Sequence, residues 1–182
     1  MAAVLMATLV APTAGTRFTI VTPHGYVQFV AADEWSVIGS QSKMPVAVMG
    51  FQIPDPADEG TNDSTNLAVF LYDQNTPKGQ RAMQLVGKKY GSSEPSVTRQ
   101  GDWKVFEQRA TQGATEYIVL DAIRPVADVT ASVRLAWPRL PGHRSDFDAR
   151  MRETFSKTLN SFRGGLGPYK PGPDDVVRRP KR

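Results

Sequence analysis

The chain contains no cysteine, so it forms no disulfide, offers no thiolate nucleophile and builds none of the Cys-based zinc sites of small domains. Histidine is almost as scarce, with His24 and His143 the only imidazoles in 182 residues. No apolar run reaches the roughly eighteen residues that a membrane-spanning helix requires. Neither a G-x-S-x-G elbow nor an H-E-x-x-H pair occurs, and Gly164-Gly165 follows a helical pattern where a phosphate cradle would open one. These absences remove most familiar catalytic and cofactor motifs. The expectation is a non-enzymatic protein with no cofactor and no integral membrane span.

Charge is present but unevenly placed. The net charge is +4. Five cations (Lys170, Arg178, Arg179, Lys181, Arg182) against Asp174 and Asp175 put +3 of it in residues 168–182. The rest is nearly neutral, with Lys104 beside Glu107, Asp121 beside Arg124, and Arg150 and Arg152 beside Glu153. Such interleaving describes a solvated surface, and the reading carries no nucleic-acid partner.

The two ends differ from the middle. Residues 2–10 are an apolar run followed by small residues and Pro12, which resembles the core and cleavage region of a secretory signal peptide without its basic start. Residues 1–15 therefore read either as a signal-peptide remnant, giving a periplasmic or exported protein, or as an apolar arm on a cytoplasmic one. Residues 16–167 read as a single globular domain. Residues 168–182, rich in Pro, Gly and charge, are expected to be a disordered basic tail.

Within the domain the pattern predicts strands at 18–22 and 26–30, a hairpin whose Gly25 supplies a positive φ, then strands at 35–38, 45–53 and 66–72. The second and third of these last three carry apolar residues on both faces, as strands covered on both sides do. Between them runs the Pro-, Asp- and Asn-rich loop 54–65. A helix is expected over 76–90, capped by Thr76, with Pro77 at its first position, a stripe of Ala82, Met83, Val86 and Tyr90, and a stop at Gly91. A meander of strands at 96–100, 103–109, 115–123 and 128–137 follows, with Val129, Ala131, Val133, Leu135 and Trp137 on one face. In the last helix, Ser145 and Asp148 imitate a capping box. There Phe147, Met151, Phe155, Leu159 and Phe162 form the buried stripe, and Gly164-Gly165 ends it. The class is α+β: an antiparallel sheet with a central and a C-terminal helix packed on it.

This order of elements, with the segment FVAADEW at 29–35 and the helix end FSKTLNSF at 155–162, resembles the PsbP-like sandwich, which includes DcrB-like bacterial envelope proteins. The resemblance implies an antiparallel sheet between helices and a binding or accessory role, and it carries over no catalytic residue. The lipobox cysteine of the lipid-anchored members is missing.

Candidate binding residues are the acidic loop carboxylates Asp55, Asp58, Glu59 and Asp63, with Asn62 beside them, and the aromatic residues Trp35 and Trp137, which border loops and would mark a partner surface if exposed. The loop reads as exposed and solvated, or as a loose calcium site, although its spacing is not that of an EF-hand. His24 and His143 sit in turns where polar residues are expected. Three functional readings follow. The first is a binding or accessory protein of the bacterial envelope that meets a protein partner through the sheet edge or acidic loop, one form being a secretion-system immunity or adaptor protein. The second is a hydrolase using Asp58 and Asp63 as acid and base, and the third a carrier with an apolar pocket between sheet and helix.

Overall fold

The computed structural model describes residues 15–41, 43–89, 94–172 and 176–178. The apolar segment 1–14 lies outside them, as do Tyr90 and Gly91.

β-branched and aromatic residues alternate through β1 (Gly15–Val21) and β2 (Gly25–Ala32), which pair as the expected hairpin with Phe18 opposite Phe29. Gly25 has another use than a positive φ: a Cβ there would lie 2.2 Å from the Gly165 carbonyl oxygen, a clash that only glycine avoids. Strands β3 (Ser36–Gln41), β4 (Val46–Ile53) and β5 (Thr65–Tyr72) follow, with a 3-10 turn at Pro56–Asp58 between the last two. Then come helix α1 (Pro77–Met83), the meander β6 (Ser96–Gln100), β7 (Trp103–Gln112), β8 (Thr115–Val126) and β9 (Val129–Pro138), helix α2 (Phe147–Ser161), and strands β10 (Arg163–Leu166) and β11 (Val176–Arg178).

The strands form two sheets rather than one. Seven lie in the order β3-β4-β5-β9-β8-β7-β6, all antiparallel, and four in the order β10-β2-β1-β11, where only β1 and β11 run parallel. With two α-helices added, the architecture is α+β. The inner face of the large sheet is covered at β4 by the small sheet, through contacts of Phe51 with Phe18 and Phe29, and Trp35 from the connection after β2 packs on the same ring; β3 is exposed along its length. Helix α2 covers β7–β9. Phe162 joins the two halves, stacking on Phe29 at 5.3 Å and meeting Trp103 edge-on at 5.1 Å. These rings fill the space where a carrier pocket between sheet and helix is expected.

The buried stripe of α2 is the expected one, but its ends are built differently. No side chain caps the helix start: the N-cap residue is Asp146, whose carboxylate meets Arg144 (3.4 Å) and Arg150 (3.5 Å), while Asp148 accepts the indole N–H of Trp137 (2.8 Å). Nor do the glycines at 164 and 165 stop it. Phe162 turns inward with extended backbone, and Gly164 and Gly165 become part of β10, paired to β2.

Helix α1 is also shorter than its stripe implies. Thr76 caps it as expected, accepting the Gly79 N–H at 3.1 Å. After Met83 the chain leaves the helix and crosses the outer face of the large sheet. Gly87 takes a φ of +67° directly against the Phe106 ring, and the Lys88 carbonyl accepts a hydrogen bond from Gln108 (3.0 Å). The inner faces of β4 and β5 are fully buried, while outward residues such as Val46, Val48 and Ala68 are half-buried; Tyr72, stacked on Phe70, is the buried outward residue at the end of β5.

Part of the segment expected to be a disordered tail has a defined place. The Tyr169 ring packs on Tyr26 at 4.8 Å, its hydroxyl accepts from Gln28 Nε2 at 3.1 Å, and residues 176–178 run beside β1. Thr19, on the outer face of the small sheet, is buried in consequence. Residues 173–175 and 179–182 lie outside the described set.

Candidate functional site

Cross-strand register places Asn66, Ala136, Val119 and Gln108 in one row across β5, β9, β8 and β7, on the face opposite the core. Residues 84–89 cross this face near Phe106 and leave the other half open. There a cleft of about 460 Å³ forms. Its floor is Asn66, Ala136, Val119, Tyr117 and Arg134; one wall is Asn62 and Ser64 from the acidic loop, the other Ala110, Thr111 and Gln112 at the end of β7.

The floor carries one cation, and it is balanced. Arg134 meets Asp121 side-on, with Nε to Oδ1 at 2.8 Å and Nη2 to Oδ2 at 3.1 Å. Asp121 is buried, so it needs that partner. The wall is fastened from below. Asp63 accepts hydrogen bonds from the Tyr117 hydroxyl (2.7 Å) and from Thr115 (2.8 Å), and Asn66 Nδ2 donates to Ser64 Oγ at 2.7 Å. Burial, and then the bond to Asp63, push the Tyr117 phenol up to about 12, so it stays a donor at any ordinary pH.

The rest of the acidic loop is held by a histidine. His143 Nδ1 accepts the Leu140 N–H at 3.4 Å, which leaves the ring proton on Nε2 for Asp55 Oδ2, 2.7 Å away. The ring stacks on Phe147 at 3.8 Å. Asp55 also accepts from Thr65 (3.2 Å) and the Ala57 N–H (3.0 Å). This pair ties the loop after β4 to the loop before α2, and both imidazole nitrogens are used in doing so.

The candidate residues thus separate. Asp55 is not a solvated loop carboxylate but a buried one. Asp58 is half-buried; its Oδ2 is enclosed without a hydrogen-bond partner, and burial followed by the Asp55 charge raises its pKa. Glu59 is exposed beside them. Asp63 is spent on Tyr117 and Thr115, and neither it nor Asp58 lines the cleft. Trp137 is fully buried, which removes it as a partner surface; Trp35 is half-buried against Phe51. His24 is exposed in its turn, with its backbone N–H on Asp128 (2.9 Å). Among the described residues no group of three or more His, Asp or Glu is placed to hold a metal ion, and no helix is long and apolar enough to cross a membrane.

Fold and site together define an α+β protein with an open, hydrogen-bonding cleft on the outer face of its larger sheet. No protein-family model matches the chain, and no curated protein sequence does. Among solved structures it is similar to LpqN of Mycobacterium tuberculosis, described as involved in cell envelope biogenesis. The two share 13% identity with a TM-score of 0.44 over 82% of this chain and 91% of that one. No function passes from that likeness to this chain.

Proposed function

We propose that the chain is a non-enzymatic binding protein of the bacterial envelope, PsbP-like in its layering, whose outer-face cleft takes an extended segment of a partner protein. The observation that carries this reading is the character of the lining. Asn62 and Gln112 each present an amide donor and acceptor, the same pair that a polypeptide backbone offers, and Asn66, whose Nδ2 is taken by Ser64, adds an acceptor. The lining contains no carboxylate, and its cation is already matched by Asp121. The volume lies within the range of specific sites. Asp63 is engaged by Tyr117 and Thr115, and Asp58 stands outside the cleft. Placement in the envelope is supported by the apolar run at residues 2–10.

The test is selection from a displayed random-peptide library on the purified chain, followed by anisotropy titration of the enriched peptides. The paired change Asn62→Ala with Gln112→Ala, at two exposed side chains, is expected to weaken binding by about tenfold or more, each lost hydrogen bond being worth about 1 kcal/mol, with the melting temperature unchanged. Peptides that bind the double variant equally well, or no enrichment at all, would overturn the reading.

A further inference from the structure

The smaller sheet is charged in a way the rest of the molecule is not. Its four strands contain Arg17, Arg163 and Arg178 and not one aspartate or glutamate, and Lys170 follows in the segment that crosses it. Two of these cations line a single pocket of about 330 Å³ on the side of the sheet facing away from the core, together with Gln28, Phe29, Val30 and Ser161. Arg17 lies opposite Val30 and Arg163 opposite Gln28, so both guanidinium groups reach the pocket from either side of β2.

Neither arginine has an ion-pair partner among the described residues. Several other arginines are matched, Arg134 by Asp121, Arg152 by Glu107 and Arg150 by Asp146, while Arg99 and Arg124 are not but do not line this pocket. The C-terminal end of α2 borders the pocket and would by itself repel an anion. Its carbonyls are already covered, however: Arg163 Nη1 donates to the oxygens of Asn160 (2.9 Å) and Phe162 (2.8 Å), and Arg124 Nη2 to Phe162 (3.2 Å). The Ser161 hydroxyl is likewise engaged, donating to Thr158 and accepting the Val30 N–H at 3.0 Å. What remains to meet a ligand is guanidinium.

We propose that this pocket is a binding site for an oxyanion, a phosphate or carboxylate group held between Arg17 and Arg163. Planar guanidinium groups favour such groups through paired, charge-assisted hydrogen bonds. The site is separate from the outer-face cleft and does not depend on what that cleft binds.

Calorimetric titration of the full chain with inorganic phosphate and with citrate, beside flotation with phosphatidylcholine vesicles with and without phosphatidylglycerol, tests the proposal and separates a free anion from a lipid headgroup. Binding is expected to weaken about tenfold in Arg17→Gln and in Arg163→Gln, and to weaken with added salt. Arg17 makes no hydrogen bond among the described residues, so its variant leaves the melting temperature where it was. Binding of phosphate or citrate identifies a small oxyanion; binding confined to the phosphatidylglycerol vesicles, and lost in the same variants, identifies a headgroup. The proposal falls if neither anion nor anionic vesicle binds, or if binding survives both substitutions.

Discussion

Two enclosed side-chain atoms among the described residues lack a hydrogen-bond partner, Arg124 Nε and, in the acidic loop, Asp58 Oδ2. Asp58 is enclosed at Oδ2 without a donor, beside Asp55, Glu59 and the His143 ring, and its pKa is raised chiefly by burial. A carboxyl whose folded pKa lies above its unfolded one favours folding below the unfolded value and loses that contribution as pH rises through the folded one. Asp58→Asn, which removes the charge and adds a donor, is therefore expected to stabilise the chain at neutral pH by about 1 kcal/mol. The gain should shrink to nothing as the pH is taken below the ordinary aspartate range. Thermal melts across that span decide it, and a variant less stable at neutral pH would contradict the account. At this scale the sequence is legible where neighbours in the chain determine the outcome and opaque where they do not. The Thr76 cap could be read because its partner, Gly79, is three residues away. The Asp55–His143 bond joins residues 88 apart, and nothing in a Pro-Gly-His turn indicates what the imidazole will find. The Asp121–Arg134 pair lies between these cases: a hairpin turning at Ala127–Asp128 puts the two residues opposite each other by counting alone.

At the level of elements, α2 dominates. Its face of Phe147, Met151, Phe155 and Leu159 is buried, a spacing of four that the sequence displays without ambiguity. Phe155→Ala is expected to cost about 3 kcal/mol or more, measured by denaturant titration; a midpoint within error of the wild type would mean that the helix does not dock as described. Legibility fails instead at element ends. A stripe continuing to Val86 and Tyr90 predicts a long α1, but the chain after Met83 is used to cover Phe106, and Gly87 permits the turn. Gly164-Gly165 reads as a helix stop because glycine interrupts helices. The same lack of a side chain lets β10 lie close against β2, a use that only the tertiary contact discloses. The cleft had a weak signature of the same kind: Asn66 and Arg134 occupy outward positions on strands whose inward residues are apolar. Alternation shows which way such residues face, but not that two loops will wall them in.

For the molecule as a whole, the strand order was legible in its consecutive pairings, β1–β2 and the β6–β9 meander, and hidden wherever distant strands meet, as β5 does β9 and β10 does β2. The division into two sheets follows from those distant pairings, and so does the recruitment of the last residues. Ending the chain after Gly167 removes Tyr169 from Tyr26 and Gln28 and takes β11 from the side of β1. Amide exchange in β1 is then expected to accelerate, while β8 and β9 at the centre of the other sheet keep their protection. Uniform exchange rates in the two forms would show that the C-terminal strand contributes nothing to that edge. One further consequence concerns light rather than stability. Both fully buried indoles bond to α2, Trp137 to Asp148 in its first turn and Trp103 to the Leu159 carbonyl in its last (3.3 Å). The helix is therefore flanked by two intrinsic fluorophores, one at either end. In a chain whose third tryptophan, Trp35, is also phenylalanine, replacing each of the two in turn leaves a single emitter that follows the seating of one end of the helix.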